Sequence, residues 1–153
     1  MLICALLSIW SCDTMESGAS STTPVSLQWS EAETSVTLNG EGTCTVNDKT
    51  GVIPDDLFAK TWKRLMVELE VTSFSSGQLT EELLREIKNT GLVVNADPLH
   101  MTRLEVGTED DTQIIEFANL AARHRAYPEA QSLARFNSVS EAMKGVANHC
   151  KVS

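Results

Sequence analysis

The sequence predicts a mainly α-helical domain in which four or five helices form a bundle-like core and carry a small amino-terminal β-hairpin. Beyond residue 54, apolar residues recur mostly at helical spacing, and helix-capping signals separate the segments. Before residue 47, alternation of apolar and polar residues indicates strands. An α+β fold is the alternative interpretation.

Length and composition predict a single globular domain over residues 27–153. The chain has 153 residues, of which 42% are apolar and 22% are charged, as is ordinary for a globular protein. A chain of this length buries roughly two thirds of its unfolded surface around one core. Residues 1–26 are expected to form an apolar leader followed by a disordered, Ser/Thr-rich segment.

The leader limits where the protein can act. The run from Met1 to Trp10 has the length of a signal-peptide core but is too short to span a membrane. Cleavage after Ala19 would give an exported chain, and lipidation at Cys12 would give a surface-tethered one. If Met15 is the effective start, the protein is cytoplasmic. The localisation therefore stays open, and membrane contact is expected only if the amino end is an anchor.

The hairpin comes first among the predicted elements. Val36 and Leu38 alternate with polar residues, as do Cys44 and Val46, and 39–42 between them supplies turn residues. The two glycines of that turn do not form a nucleotide-binding loop, because the third glycine and a following helix pattern are missing.

The first helix is predicted to begin at Pro54–Asp56, where proline and acidic residues suit the first turn. Its apolar residues form one wide stripe. The members of this stripe are Phe58, Trp62, Leu65, Met66 and Leu69. The stripe is either a core face or the interaction face for a protein partner.

Four further helical segments follow in the sequence. Thr80 is the expected cap of a helix that runs to about Lys88 and ends before Gly91. The 108–111 segment resembles a capping box and predicts a third helix whose buried side carries Ile114, Ile115, Ala118, Ala121 and Ala122. Pro128 interrupts that helix, and a short helical stretch precedes a last helix capped by Ser138. Residues 92–94 are expected to form a short strand, and Asp97–Pro98 a turn.

Four cysteines lie outside any zinc-ligand or thioredoxin-like spacing. If the leader is removed, Cys44 and Cys150 remain and can pair. The loop they close would have about 106 residues, for which loop entropy gives a stabilisation of about 4–5 kcal/mol. Reduced, buried thiols are the alternative interpretation.

Charge disfavours several classes of partner. The net charge is −9, and Lys and Arg are absent from the first 48 residues. Because nucleic-acid binding depends on clustered cations that neutralise phosphates, direct nucleic-acid binding is not expected. Attraction to anionic lipid headgroups is disfavoured for the same reason.

Residues that could suggest a catalytic or metal-binding role do not form a recognised motif. His149 and Cys150 are adjacent and therefore do not face each other on a helix. His100 and His124 have no ligand spacing to another histidine. The sequence thus predicts no cofactor, no metal site and no catalytic residue, and disfavours an enzyme. We expect a non-catalytic structural or protein-interaction module that can self-associate; the alternative is an exported or surface-tethered small binding protein.

Overall fold

In the part of the chain that the structure describes, a seven-stranded antiparallel sheet is accompanied by four α-helices. The structure is a computed structural model that describes residues 23–94 and 100–152. The fold is therefore α+β, and the mainly α-helical bundle predicted from the sequence is wrong. The prediction failed because it assigned strands only to the hairpin region and to residues 92–94, and because it assigned residues 112–118, which form a strand, to a helix.

The strands are β1 (Ser26–Glu31), β2 (Thr34–Asn39), β3 (Thr43–Val46), β4 (Lys49–Val52), β5 (Met101–Gly107), β6 (Thr112–Ala118) and β7 (Lys151–Val152). Their order across the sheet is β6-β5-β1-β2-β3-β4-β7. The first four strands form a meander. The distant strand β5 then pairs with β1, so that β1 lies inside the sheet.

The helices are α1 (Asp55–Lys63), α2 (Ser76–Thr90), α3 (Leu120–Ala126) and α4 (Gln131–His149). A π-helical turn (Arg64–Glu68) continues α1, and a 3-10 turn (Val71–Ser73) follows it. Helix α4 contacts β2, β3, α2 and α3. Its buried residues, among them Phe136, Val139 and Met143, belong to the hydrophobic core.

The predicted hairpin is confirmed. Leu38 lies opposite Cys44 and Val36 opposite Val46 in the β2–β3 pair. The side-chain oxygen of Asn39 accepts hydrogen bonds from the backbone N–H groups of Glu41 (3.0 Å) and Thr43 (2.9 Å). Both bonds fix the tight connection, as a short polar side chain commonly does in a turn.

The predicted third helix is wrong over residues 112–118, which form β6. Ile115 is fully buried, whereas the neighbouring Ile114 is 47% exposed, as expected for a strand whose side chains alternate between two faces. The 108–111 segment is the β5–β6 turn, in which the Thr108 N–H donates to the Asp111 carbonyl oxygen (2.8 Å). The helical segment begins only at Leu120, and Ala121 is exposed rather than buried.

The two last predicted helices are one helix. Ser138, the predicted cap, lies inside α4 and donates its hydroxyl to the Ala134 carbonyl oxygen (3.1 Å). A serine in this position can satisfy its hydroxyl within the helix, so the capping pattern alone does not mark a boundary. Pro128 does lie in the break between α3 and α4.

The remaining boundaries differ in detail. The cap of α2 is Ser75, whose hydroxyl accepts from the Gln78 N–H (3.1 Å), and not Thr80. Gly91 ends α2 with a left-handed φ of 69°, as predicted. Residues 92–94 are not a strand. The leader, most of the polar segment and the Asp97–Pro98 turn lie outside the described residues, although Ser26 already belongs to β1.

Candidate functional site

The apolar stripe predicted on the first helix divides between the core and the surface. Leu65 and Leu69 are buried in the hydrophobic core. Phe58, Trp62 and Met66 are only partly buried, and all three line a surface groove. The structure thus places part of the stripe where the core interpretation put it and leaves the remainder on the surface. That this remainder is an interaction face stays a prediction.

A π-helical turn shapes the carboxyl end of the stripe. The Leu69 N–H donates to the Arg64 carbonyl oxygen (2.8 Å), which is the i to i−5 hydrogen bond of a π-helix. The helical path ends immediately afterwards, because Glu70 adopts a left-handed φ of 47°. Arg135 on α4 holds the Glu70 carboxylate at 3.0 Å. The change of chain direction brings Thr72 back to the groove.

The groove has a volume of about 530 Å³, which lies within the range of ligand-binding clefts. Helix α1 and the π-helical turn form one side of it, and the segment before β1 forms the other. The lining residues are Thr23, Pro24, Phe58, Ala59, Trp62, Lys63, Met66, Val67 and Thr72. Most of the side chains along it are apolar, so the groove suits an apolar segment of a ligand or partner.

Two glycines of the β2–β3 turn support the aromatic side chains of the groove. Gly42 has a φ of +88°, and a Cβ at that residue would lie 3.5 Å from the Phe58 ring. A Cβ at Gly40 would lie 3.6 Å from the Trp62 ring. The ring centroids of Phe58 and Trp62 are 5.6 Å apart. The turn therefore packs under α1 and positions both rings, a role that local turn signals do not reveal.

The opposite wall of the groove is fixed to the sheet. The Val25 N–H donates to the Gly107 carbonyl oxygen (2.7 Å), and the Val25 carbonyl oxygen accepts from the Gly40 N–H (2.9 Å). Because Val25 directly follows Pro24, these bonds hold the wall next to Trp62. Among the described residues that line the groove, Lys63 is the only charged one. An occupant with a negative group beside its apolar part would match this lining.

A partly buried polar network at the carboxyl end of β1 was missed by sequence reasoning. The Trp29 indole N–H donates to the Ser140 hydroxyl (3.1 Å). The hydroxyls of Ser140 (3.3 Å) and Thr102 (3.1 Å) both donate to the same oxygen of the Glu31 carboxylate. Lys144 faces the other carboxylate oxygen at 3.8 Å. The network joins β1, β5 and α4; the spacing of Leu27, Trp29 and Glu31 on one strand face is the signal that could have indicated it.

A small cavity of about 170 Å³ adjoins this network, and Glu31, His100, Thr102 and Arg125 are among its lining residues. The Thr102 hydroxyl is committed to the Glu31 carboxylate. That carboxylate is in turn engaged by two hydroxyls and an ammonium group. The polar groups of the network thus bond to one another and connect helix α4 to the sheet. We therefore assign the network a structural role.

Cys44 and Cys150 form a disulfide in the structure, the pairing that the sequence raised as one of two alternatives. Cys44 is buried within β3, and Cys150 directly follows α4. The ring nitrogen Nδ1 of His149 lies 2.8 Å from the Gly145 carbonyl oxygen, so it contacts the backbone of its own helix. In the disulfide form, Cys150 has no thiol that could act as a nucleophile.

The other residues considered for chemistry belong to different parts of the fold. His100 borders the small cavity, whereas His124 belongs to α3 and His149 ends α4. Within residues 23–94 and 100–152, no group of three or more His, Cys, Asp or Glu side chains is arranged to hold a metal ion.

Comparison with protein-family models, with curated proteins and with solved structures finds no match. In the described part of the chain, none of the helices combines the length and the apolar character needed to cross a membrane.

Proposed function

We propose that the protein is a non-catalytic interaction module that binds a protein partner, in the first instance another copy of itself, through the groove beside α1. The observation that carries this proposal is the division of the α1 stripe. Phe58, Trp62 and Met66 remain partly exposed around a volume of about 530 Å³ although the neighbouring Leu65 and Leu69 are buried.

The character of the groove favours binding over catalysis. Its lining combines aromatic and aliphatic side chains with one lysine. Interface centres are enriched in aromatic residues and methionine, which supply large contact area. Acid–base catalysis depends on side chains positioned to give or take a proton, and Lys63 is the one titratable side chain of the described lining.

Self-association through the groove is tested by sedimentation velocity over a range of protein concentrations. Wild type is expected to show a concentration-dependent dimer. Trp62→Asp should weaken the association by at least about tenfold, because a charge replaces an aromatic contact at the centre of the interface. Leu84→Asp is the matched control, since Leu84 is 58% exposed on α2 and does not line the groove.

Two results would contradict the proposal. A wild type that stays monomeric at all concentrations would reject self-association. An equal loss of dimer in Trp62→Asp and Leu84→Asp would place the interface elsewhere.

The second candidate is an exported or surface-tethered small binding protein, and the Cys44–Cys150 disulfide favours it. Disulfides persist in oxidising compartments and are rare in the cytosol. The measurement is the intact mass of protein from its native host. Export predicts a chain that begins near Ser20 and is lighter by two hydrogens than the reduced form. An intact, fully reduced chain would exclude it.

A further inference from the structure

Helix α1 carries opposite charges at its two ends. Its first turn contains Asp55 and Asp56, and its last turn contains Lys60 and Lys63. All four residues are exposed. Among the ion pairs that the described residues form, none involves these four side chains. The charges suit the helix dipole, and each of them can also contact a partner.

Three of the exposed residues form one ridge along α1. Asp55, Ala59 and Lys63 follow one another at intervals of four residues, so they lie on the same side of the helix. Ala59 is the middle residue of α1. At a rise of about 1.5 Å per residue, the acid and the lysine lie about 6 Å from Ala59 in opposite directions. The ridge therefore matches a second copy of itself that runs in the opposite direction.

An antiparallel arrangement about a twofold axis at Ala59 pairs opposite charges. Asp56 lies about 4.5 Å before Ala59 along the helix axis, and Lys63 lies about 6 Å after it. Reversal of the second helix therefore brings its Lys63 to the level of Asp55 and Asp56 in the first copy, and symmetry repeats the contact. A parallel arrangement would instead oppose acid to acid and lysine to lysine.

The aromatic side chains of the groove flank this ridge. Phe58 and Trp62 each precede a ridge residue by one position, and both line the groove together with Ala59 and Lys63. In the antiparallel pair, Trp62 of one copy lies about 3 Å along the axis from Phe58 of the other. Because Ala59 has only a methyl side chain, the two helices can approach each other closely at this residue.

We propose that the second copy binds beside the groove through an antiparallel α1–α1 contact centred on Ala59, in which Asp56 of each copy pairs with Lys63 of the other. The inference rests on the proposed function and specifies the surface and the orientation of the partner. The occupant is a second copy because α1 contains both halves of the charge match at the spacing that reversal requires. Asp56 is also the negative group that would match Lys63 in the groove lining.

Exchange of the two charges on the full chain tests the pairing by sedimentation velocity. Asp56→Lys and Lys63→Asp should each weaken the dimer by at least about fivefold, because each brings like charges together at two symmetric contacts. The double variant Asp56→Lys/Lys63→Asp should return the dimer dissociation constant to within about twofold of wild type. Lys60→Asp is the matched control, because Lys60 lies about 100° around the helix from Ala59. It should change the dissociation constant by less than about twofold.

A role of these charges in helix stability alone predicts a different result for the double variant. Asp56→Lys and Lys63→Asp both oppose the helix dipole, so together they should destabilise α1 more than either change does. Thermal unfolding of the three variants measures this effect beside the dimer dissociation constant. A double variant that dimerises no better than the two single variants would overturn the proposal.

A neutral variant tests the crossing point without a change of charge. Ala59 is exposed, so Ala59→Gln should leave thermal unfolding unchanged. It should weaken the dimer by at least about fivefold, because two longer side chains would meet where the helices approach each other most closely. Leu84→Gln is the matched control, since Leu84 is 58% exposed on α2 and does not line the groove. A dimer that tolerates Ala59→Gln as well as Leu84→Gln would reject a crossing at Ala59.

The outcomes separate this inference from the proposed function. A wild type that stays monomeric at all concentrations would reject both. A wild-type dimer that is weakened by Trp62→Asp, but not by Asp56→Lys, Lys63→Asp or Ala59→Gln, would leave the groove as the interface and reject the antiparallel pairing.

Discussion

At the residue scale, Ser140 is the central member of the polar network that ties α4 to the sheet. Its hydroxyl accepts from the Trp29 indole N–H and donates to the Glu31 carboxylate. Ser140 and Trp29 are both almost fully buried. Removing the hydroxyl would leave the indole N–H without this partner in a place that water does not reach readily.

Ser140→Ala is therefore expected to lower the free energy of unfolding by about 1–3 kcal/mol. Ser138→Ala is the matched control, two residues away on the same helix. Its hydroxyl bonds only to the Ala134 carbonyl oxygen of its own helix, so we expect a change within about 0.5 kcal/mol. Urea denaturation of both variants measures the difference. Equal effects would show that the network does not stabilise the fold.

Part of the candidate site could be predicted at this scale. Helical spacing in the sequence identifies Phe58, Trp62 and Met66, and it groups them with Leu65 and Leu69. Spacing cannot tell which members face the core, because a π-helical turn and a distant segment at Pro24 decide that. Nor does it show that two glycines of the β2–β3 turn support the aromatic rings.

At the element scale, the β5–β6 hairpin shows why the fold class was mispredicted. Thr102, Leu104 and Val106 are buried and alternate with the less buried Arg103 and Glu105. This alternation is visible in the sequence and is typical of a strand. The next segment was assigned to a helix because its first residues resemble a capping box. Short polar residues are also favoured in turns, so the 108–111 segment is equally compatible with the turn of a hairpin.

The pair Ile114 and Ile115 tests the β6 assignment. Ile115→Ala should lower the free energy of unfolding by about 2–5 kcal/mol, since it removes a fully buried side chain. Ile114→Ala should change it by less than about 1 kcal/mol, because Ile114 lies on the opposite, exposed face. Thermal unfolding of the two variants provides the measurement. Two large and similar losses would instead suit a buried helix face.

At the scale of the whole molecule, the disulfide links two parts of the sequence that are 106 residues apart. Closing so long a loop restricts the unfolded chain far more than the folded one. The chain-entropy estimate for a loop of this size is about 4–5 kcal/mol. The sequence allowed this pairing without requiring it, because spacing alone cannot show which cysteines meet.

The double variant Cys44→Ala/Cys150→Ala is expected to unfold with a free energy lower by about 4–5 kcal/mol than that of the oxidised wild type. Guanidinium denaturation with and without reductant measures this effect. The variant should be insensitive to reductant, whereas wild type should lose a similar amount when reduced. A wild type that is indifferent to reductant would contradict the expectation.

The position of β1 also has a consequence for how the chain acquires its structure. Strand β1 pairs with its neighbour β2 early in the sequence, but its other partner is β5, which follows α1 and α2. During synthesis the meander can therefore form while the open side of β1 waits for β5 to emerge. Such non-local pairing raises the contact order and slows folding. Until β5 is synthesised, one edge of β1, the strand that contains Leu27 and Trp29, is unpaired in the nascent chain, and we expect the chain to be most prone to aggregation in that interval.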